Sequence, residues 1–584
     1  MPVRNSEIAD AFREFADLLE IEGANQFKVR AYRNAARTVE ELPQSVRDMI
    51  EAGEDLTELS GIGEALAKKI KALVETGEIP QLQELRSRVP AGLAEMLRIQ
   101  GLGPKRVQAL HSELNVTTLD ELRAAAERGE VASVSGLGEK TQETILEALE
   151  KLDETESRTR LDRAEQFVKP LVDYLKEDGN IERVEVAGSY RRRKETVGDL
   201  DILAISDAGE ATVEHFVDYE DVSEVASQGE TRSTVVLRSG LQVDLRVVPR
   251  ESYGAALLYF TGSKAHNIAL RNLALERGFK VNEYGVFKVQ GDQESDGNGG
   301  SGERVAGETE PEIYKFFDLA YIEPEMRENR GEIEAAKTSD LPTLVTMDDI
   351  RGDLQTHTTA SDGKATLAEM AQGAKERGYD YIAITDHSPN VAVTAGLDAE
   401  ELAARLDEFD ELNEKLDGVR VLKGIEVDIL EDGSLDLPDD ILERLDICVA
   451  AVHTYFNLSR DKQTERIIRA LDNPNVDILV HPTGRRIGER EAYELDLERV
   501  MEAALERGCY LEINANPERL DLDDVHARMA KEMGLKLSIS TDAHSVRTLD
   551  HMRFGVDQAR RGWLTAEDVL NTRSWADLKR LLRD

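Results

Sequence analysis

"GSYRRRKETVGDLDIL" (188–203) places four cationic side chains, Arg191 to Lys194, just ahead of two carboxylates, Asp199 and Asp201. The apolar run that follows predicts a β-strand, on which residues two apart share a face. Like charges so held repel unless a cation lies between them. A third carboxylate, Asp244 in "QVDLRVV", lies on a later β-run that can pair alongside. Three acidic side chains suit Mg²⁺, a hard ion that shares its shell with phosphate and water. Two such ions, roughly 3.5–4 Å apart, bridge attacking and leaving oxygens in a displacement at phosphorus. The Gly188–Ser189 turn and the fork of Arg192 would then grip phosphates. The competing reading makes the acidic pair a solvated strand end and the arginines its partner patch.

The rest of the chain bounds that choice. Its 584 residues carry a net charge of −43, and the length suggests roughly four domains. Net charge alone argues against a nucleic-acid partner, so local patches must decide. Acidity is spread throughout and lysine is scarce beside arginine, a composition suited to the concentrated salt of a halophile's cytoplasm. Neither a membrane-length apolar run nor an apolar signal region is present, so a cytoplasmic protein is expected. Cys448 and Cys509 each sit in an apolar run, which argues against a disulfide framework or a cysteine zinc site.

Three repeats precede residue 150: "LSGIGEALAKKI" (59–70), "IQGLGPKRVQAL" (99–110) and "VSGLGEKTQETI" (134–145). Each glycine pair permits a tight turn whose N–H groups face outward at the next helix start, holding a phosphate without reading a base. They predict helix-hairpin-helix DNA binding in helical surroundings, against a plain helical repeat. Short β-runs from about 181 predict an antiparallel or mixed sheet. A second α/β piece follows, and "GDQESDGNGGSGERVAGETE" (291–310) reads as a flexible acidic insertion. From about 350, β-runs alternate with helices, as in an α/β barrel whose chemistry sits at the C-terminal strand ends.

"GSYRRRKETVGDLDIL", "VDLRVV", "YFTGSKAHN" and the hairpin repeats together resemble the family X DNA polymerases, over about residues 1–320. The resemblance implies a multidomain α/β protein: a lyase-like helical domain (1–85), helix-hairpin-helix fingers (86–155), a nucleotidyltransferase palm (156–250) and a thumb (251–324). It makes Asp199, Asp201 and Asp244 catalytic ligands of Mg²⁺ or Mn²⁺, and Gly188, Ser189 and Arg192 triphosphate contacts. Tyr259, Phe260 and Gly262 would line the sugar, while Asn267 and Arg271 would face the minor groove. Lys69, with Tyr32 and Lys28 nearby, falls where the family's Schiff-base lysine sits. Ala65 and Phe27 depart from the family's basic residues.

Seven of the ten histidines follow residue 350. His357, His387, His453, His481 and His544 end β-runs or open loops beside Asp or Glu, and mixed imidazole and carboxylate ligands suit Zn²⁺, Mn²⁺ or Fe²⁺. His526 and His551 read as surface or packing residues. After a linker (325–347), residues 348–584 resemble the PHP domain, a barrel with three metals. The resemblance implies Zn²⁺ or Mn²⁺ on His357, Glu426 and Asp542; on Glu426, His453 and His481; and on Asp362, His387 and His544. Gln355 stands where the family often has a histidine. The combination implies a monomeric polymerase of base excision repair or end joining that fills gapped or primed DNA with dNTPs, with a 3′→5′ exonuclease and, in some members, abasic-site cleavage in the barrel. The alternatives are a phosphoesterase for a small ester with a vestigial palm, and a catalytically dead DNA scaffold.

Overall fold

A computed structural model describes residues 5–582, except 41, 43–45, 60, 90, 98, 100–101, 135–136, 140, 147–148, 150–157, 290–302 and 391–394. The chain divides into two compact units, 1–157 with 488–491, and 158–487 with 492–584.

The first unit is helical. Apolar residues at helical spacing, from Ile8 and Phe12 to Ile145 and Leu149, fill one core. Leu82, Leu85, Val89 and Leu93 all belong to it, so the boundary expected at 85/86 crosses a continuous core. Gly63 and Gly103 cap the helices Glu64–Thr76 and Pro104–Leu114 with nearly the same backbone, φ −83°, ψ 173° and φ −81°, ψ 169°. Two repeats therefore make one turn, and neither cap supplies a side-chain hydrogen bond. Gly101 and Gly136 lie outside the described residues.

The second unit begins with a five-stranded mixed sheet: β1 (Ile181–Val186), β2 (Asp199–Ser206), β3 (Val222–Gln228), β4 (Arg232–Leu237) and β5 (Gln242–Val248), ordered β1-β2-β5-β4-β3. Only β2 and β5 run parallel. Alternation along β2 sends Leu200, Ile202 and Ala204 against the helix Leu161–Glu177, and Leu203 and Ile205 against the helix Tyr253–Thr261. Asp199 and Asp201 share the second face. Beyond it, β6 (Phe279–Asn282), β7 (Gly285–Lys288) and β8 (Arg304–Ala306) form an antiparallel sheet.

Two expectations need correcting here. The supposed insertion does not extend through residue 310, since β8 pairs with β7 and Glu310 is buried. Residues 290–302 lie outside the described ones. Nor is 325–347 a free linker. Arg327 is fully buried, bonded to Glu310 Oε1 (2.5 Å), and Glu332 meets His266 Nδ1 (2.7 Å). Charged residues that look solvated in sequence here neutralise one another inside a core.

The C-terminal part is a ring of seven parallel strands in chain order: β9 (Gly352–Asp353), β10 (Tyr381–Ile384), β11 (Arg420–Asp428), β12 (Ile447–Ala451), β13 (Ile478–Leu479), β14 (Tyr510–Asn514) and β15 (Leu537–Ser540). An isolated parallel bridge between Thr356 and Ala543, just past the ends of the first and last strands, nearly closes the ring. Tyr381, Ala383, Leu422 and Val449 pack in one core, and Ile382, Ile384 and Val421 in another with the surrounding helices. Burial on both faces explains the near-continuous apolar runs.

Within the second unit, Arg191 to Arg193 tie the mixed sheet to the segments that follow it and to the barrel. Arg191 forms a fork with Glu310 (2.8 and 2.6 Å) and Arg192 Nε donates to Glu328 (3.0 Å). Arg193 lies between Glu165 (2.9 Å) and Asp557 (2.7 Å), the latter on the barrel helix Met552–Arg561. Phe554 of that helix enters the palm core, and Arg553 also pairs with Glu165. Arg193→Met would leave the half-buried Asp557 without this partner, at a cost on the order of 1–3 kcal/mol. Thermal unfolding of Arg193→Met should show the loss, and Arg193→Met/Asp557→Leu should recover most of it.

Candidate metal centres

In the palm, sheet register aligns Asp201 with Asp244 on β2 and β5, with Asp199 two residues before. Gly188 sits beside them at φ +63°, where a Cβ would lie 2.5 Å from Asp201 Oδ2. Glycine is therefore required by space as well as by backbone. Burial, then the charges of Asp199 and Asp244, pushes the Asp201 carboxyl up to about 7. Asp244 is turned by Thr234 Oγ1 (2.5 Å) and Gln242 Nε2 (2.8 Å), which donate to its two oxygens. The charges of Asp199 and Asp244 oppose ionisation of Asp201, and an all-oxygen set of this kind has the chemistry that suits a divalent cation, but among the described residues the three do not gather to within 4.8 Å as the barrel groups do.

Ser189 follows Gly188 in the short helix Gly188–Arg191. Arg192 also donates through Nη1 to Thr261 O (2.5 Å), so protein carboxylate and carbonyl already engage part of the fork expected on a triphosphate. Gly262, at φ +70°, passes within 3.1 Å of Arg192 Nη1 as measured from a built Cβ. Tyr259, Asn267 and Arg271 line one small groove, with Asn267 Nδ2 donating to Tyr259 O (2.7 Å). Phe260 meets Tyr259 edge-on and carries Arg246 over its face.

The barrel cluster is tighter. Its residues follow or end strands at the C-terminal side: His357 and Asp362 after β9, His387 after β10, Glu426 in β11, His453 after β12, His481 after β13, and Asp542 and His544 after β15. Among the described residues, three groups converge to within 4.8 Å: His357, Asp362, His387 and His544; His387, Glu426 and His453; and His357, Glu426 and Asp542. The last of these groups has the same residues as the first expected set. His357 joins the set expected on Asp362, His387 and His544, and His481 reaches Glu426 Oε1 at 3.0 Å without completing a separate group. His481 (φ +32°) and Asp542 (φ +54°) occupy left-handed backbone, the kind of strain that collects at functional sites.

Buried lone pairs dominate this cluster. Both ring nitrogens of His357, Nδ1 of His387 and His481, and Oε2 of Glu426 are buried without hydrogen bonds. Imidazole nitrogens gathered with carboxylate oxygens, several of them left without hydrogen bonds, fit borderline divalent ions. Burial alone would lower His453 and His544, but Glu426 and Asp428 outweigh it for His453, and Asp362 for His544, holding both up at about 9. Burial lowers His387 to about 4. Gln355 is wholly buried, and neither of its amide atoms has a partner.

Family models match successive stretches of the chain up to residue 516: a helix-hairpin-helix domain (3–79), a helix-hairpin-helix tandem (93–151), the DNA polymerase beta palm (157–249) and thumb (256–328), and the PHP domain (353–516). The protein of Bacillus subtilis named DNA polymerase/3′-5′ exonuclease PolX is 38% identical over 583 residues, covering 100% of both chains. This chain belongs to the PolX family. Probable phosphatases match about a third of the chain. One from Thermoanaerobacter pseudethanolicus is 38% identical over 232 residues, 38% of this chain and 90% of its own. One from Caldanaerobacter subterraneus is 37% identical over 203 residues, 33% of this chain and 75% of its own.

Several residues of this PolX chain that bear on the site were missed in sequence. Asp428 supports His453 Nδ1 (3.3 Å), and its position two residues past Glu426 on β11 could have revealed it. Asp386 receives Thr358 N (2.7 Å), Ser361 Oγ (2.7 Å) and buried Arg405, fixing the loop between His357 and Asp362. Arg519 brings a cation within 3.5 Å of Asp542. Glu512, fully buried beside His481 N (2.8 Å), has its carboxyl held well above the usual range by burial and then by Asp542. In the first unit, Lys69 Nζ lies 5.8 Å from the Tyr32 ring centre, and burial, then Lys28, lowers its pKa.

Proposed function

We propose that this chain is a DNA polymerase that fills gaps in duplex DNA and shortens DNA 3′ ends at a second centre. The observation that carries this is the register of Asp201 against Asp244 beside the Gly188 turn. The full-length relative named for both activities supports the pairing.

The chain's residues then take the following roles. Gly63 and Gly103 open helix starts to backbone phosphates, positioning DNA without reading sequence. The Gly188–Ser189 turn and Arg192 meet the triphosphate. Tyr259 and Gly262 back the sugar, with Phe260 behind, while Asn267 and Arg271 face the minor groove. In the barrel, Arg519 draws a phosphodiester toward the cluster. Divalent ions, Mg²⁺ or Mn²⁺ on the three palm aspartates and Zn²⁺ or Mn²⁺ in the barrel, supply charge neutralisation and Lewis acidity at phosphorus. Gln355 offers an amide oxygen where imidazole would bind a borderline ion more tightly.

A 5′-labelled gapped duplex tests the reading. Purified chain should lengthen the primer with dNTPs and shorten it without them. Hydrolysis of small phosphate esters with DNA left intact would instead favour the barrel-only reading.

Lys69 carries a separate expectation. A lysine with lowered pKa beside an aromatic ring has the amine chemistry of a Schiff-base nucleophile. Borohydride should trap a 5′-deoxyribose phosphate on wild type, with Lys69→Ala losing at least about ten-fold of the adduct. Equal trapping by the variant would remove Lys69 from that role.

A further inference from the structure

We propose that Tyr455 is a stacking platform for the terminal base of a DNA 3′ end entering the barrel cluster, an inference that rests on the 3′-end shortening proposed above. Tyr455 follows His453 by two residues, on the loop between β12 and the helix Arg460–Leu471. Two residues span at most ~7 Å, comparable to the reach from a nucleotide's phosphate to its base. The side chain is 52% exposed, although its backbone is left-handed at φ +58°. A bulky residue is rare in that conformation, and Gly or Asn would serve the turn at lower cost.

The ring is held on a rigid base. Buried Arg466 lies with its guanidinium carbon 5.7 Å from the ring centre. It donates to Leu430 O (2.7 Å), Thr454 O (2.8 Å) and Ile429 O, tying this loop to the end of β11. The next residue, Phe456, stacks on Tyr493 at 6.0 Å, and Tyr493 Oη donates to Pro482 O (2.6 Å), beside His481. The platform is thus anchored to loops that carry cluster residues. A flat π surface accepts any base, and only an unpaired end presents a free base face.

The test uses the full chain with Mn²⁺ and 5′-labelled single strands ending in either a normal nucleotide or an abasic residue. Wild type should favour the base-bearing end, mainly through KM. Tyr455→Asn, whose side chain suits the left-handed backbone, should cut that preference roughly ten-fold, and Tyr455→Trp should keep it. A ring that merely covers Arg466 would change melting temperature without altering the preference. An unchanged preference in Tyr455→Asn, or an equal loss in Tyr455→Trp, overturns the proposal while leaving 3′-end shortening in place. Wild type that cleaves a small diester but no DNA end removes the underlying reading, and this role falls with it.

Discussion

Asp201→Asn is expected to remove primer extension by on the order of 10³-fold, since a charge facing the reacting phosphates is lost. Shortening of 3′ ends should persist, because the barrel cluster shares no residue with the palm. The same variant has an opposite effect on the metal-free fold. Asp201 binds its proton more tightly folded than unfolded, with its pKa raised from 3.8 to about 7 by burial and by Asp199 and Asp244. Between those values the native state holds a proton that the unfolded chain has released, so wild-type stability falls as pH rises through that window. Asparagine has no such dependence. In metal-free protein, the melting temperature of Asp201→Asn should match wild type near pH 4 and exceed it above pH 7. Mn²⁺ should narrow that gap by stabilising the wild-type palm. A pH-independent difference would mean that Asp201 is not held by its acidic neighbours.

The acidic pair was legible because a strand repeats every two residues, and because an Asp-x-Asp on one face demands a counter-charge. The convergence of the barrel cluster was legible for a similar reason. Parallel strands all end on one side, so His or Asp after each β-run must converge. The arginines beside the palm site were not. Sequence displays their charge but not their partners, and Glu310 and Asp557 lie 119 and 364 residues away. Nucleotide binding and domain pinning look alike until those carboxylates are placed. The segment 325–347 failed for the same reason, since a buried Arg327 reads as a solvated one. Arg405 and Arg519 carry no local signal, because only the fold brings them beside Asp386 and Asp542.

The seam of ion pairs bears on the acidity of the chain. Arg193, Arg553, Arg560 and Arg561 each meet a carboxylate across or beside the palm–barrel contact. Arginine spent on such pairs is not available to DNA, and phosphate contacts also weaken as salt rises. Clusters that hold divalent ions and helix starts that present backbone amides depend less on net charge. These are the features by which a chain of net charge −43 can approach a polyanion.

Glu426→Gln should produce the converse separation, loss of 3′-end shortening by on the order of 10³-fold with extension retained. Its carboxylate is the hub of the barrel cluster. Oε1 lies 3.0 Å from His481 Nε2 and 3.2 Å from His453 Nε2, while Oε2 lies 3.3 Å from His357 Nε2 and 3.5 Å from His387 Nδ1. Burial alone would raise Glu426, but His387 and His453 outweigh it and hold the carboxyl well below its usual range. Metal binding here must displace protons, because His453 and His544 hold theirs up to about pH 9. The Mn²⁺ concentration needed for half-maximal shortening should therefore rise as pH is lowered from 9 toward 6. Glutamine keeps the shape and an oxygen but removes the charge that raises His453, so calorimetry should find fewer ions bound. If Glu426→Gln stops extension as well as shortening, the two clusters do not act independently, and a single centre must serve both reactions.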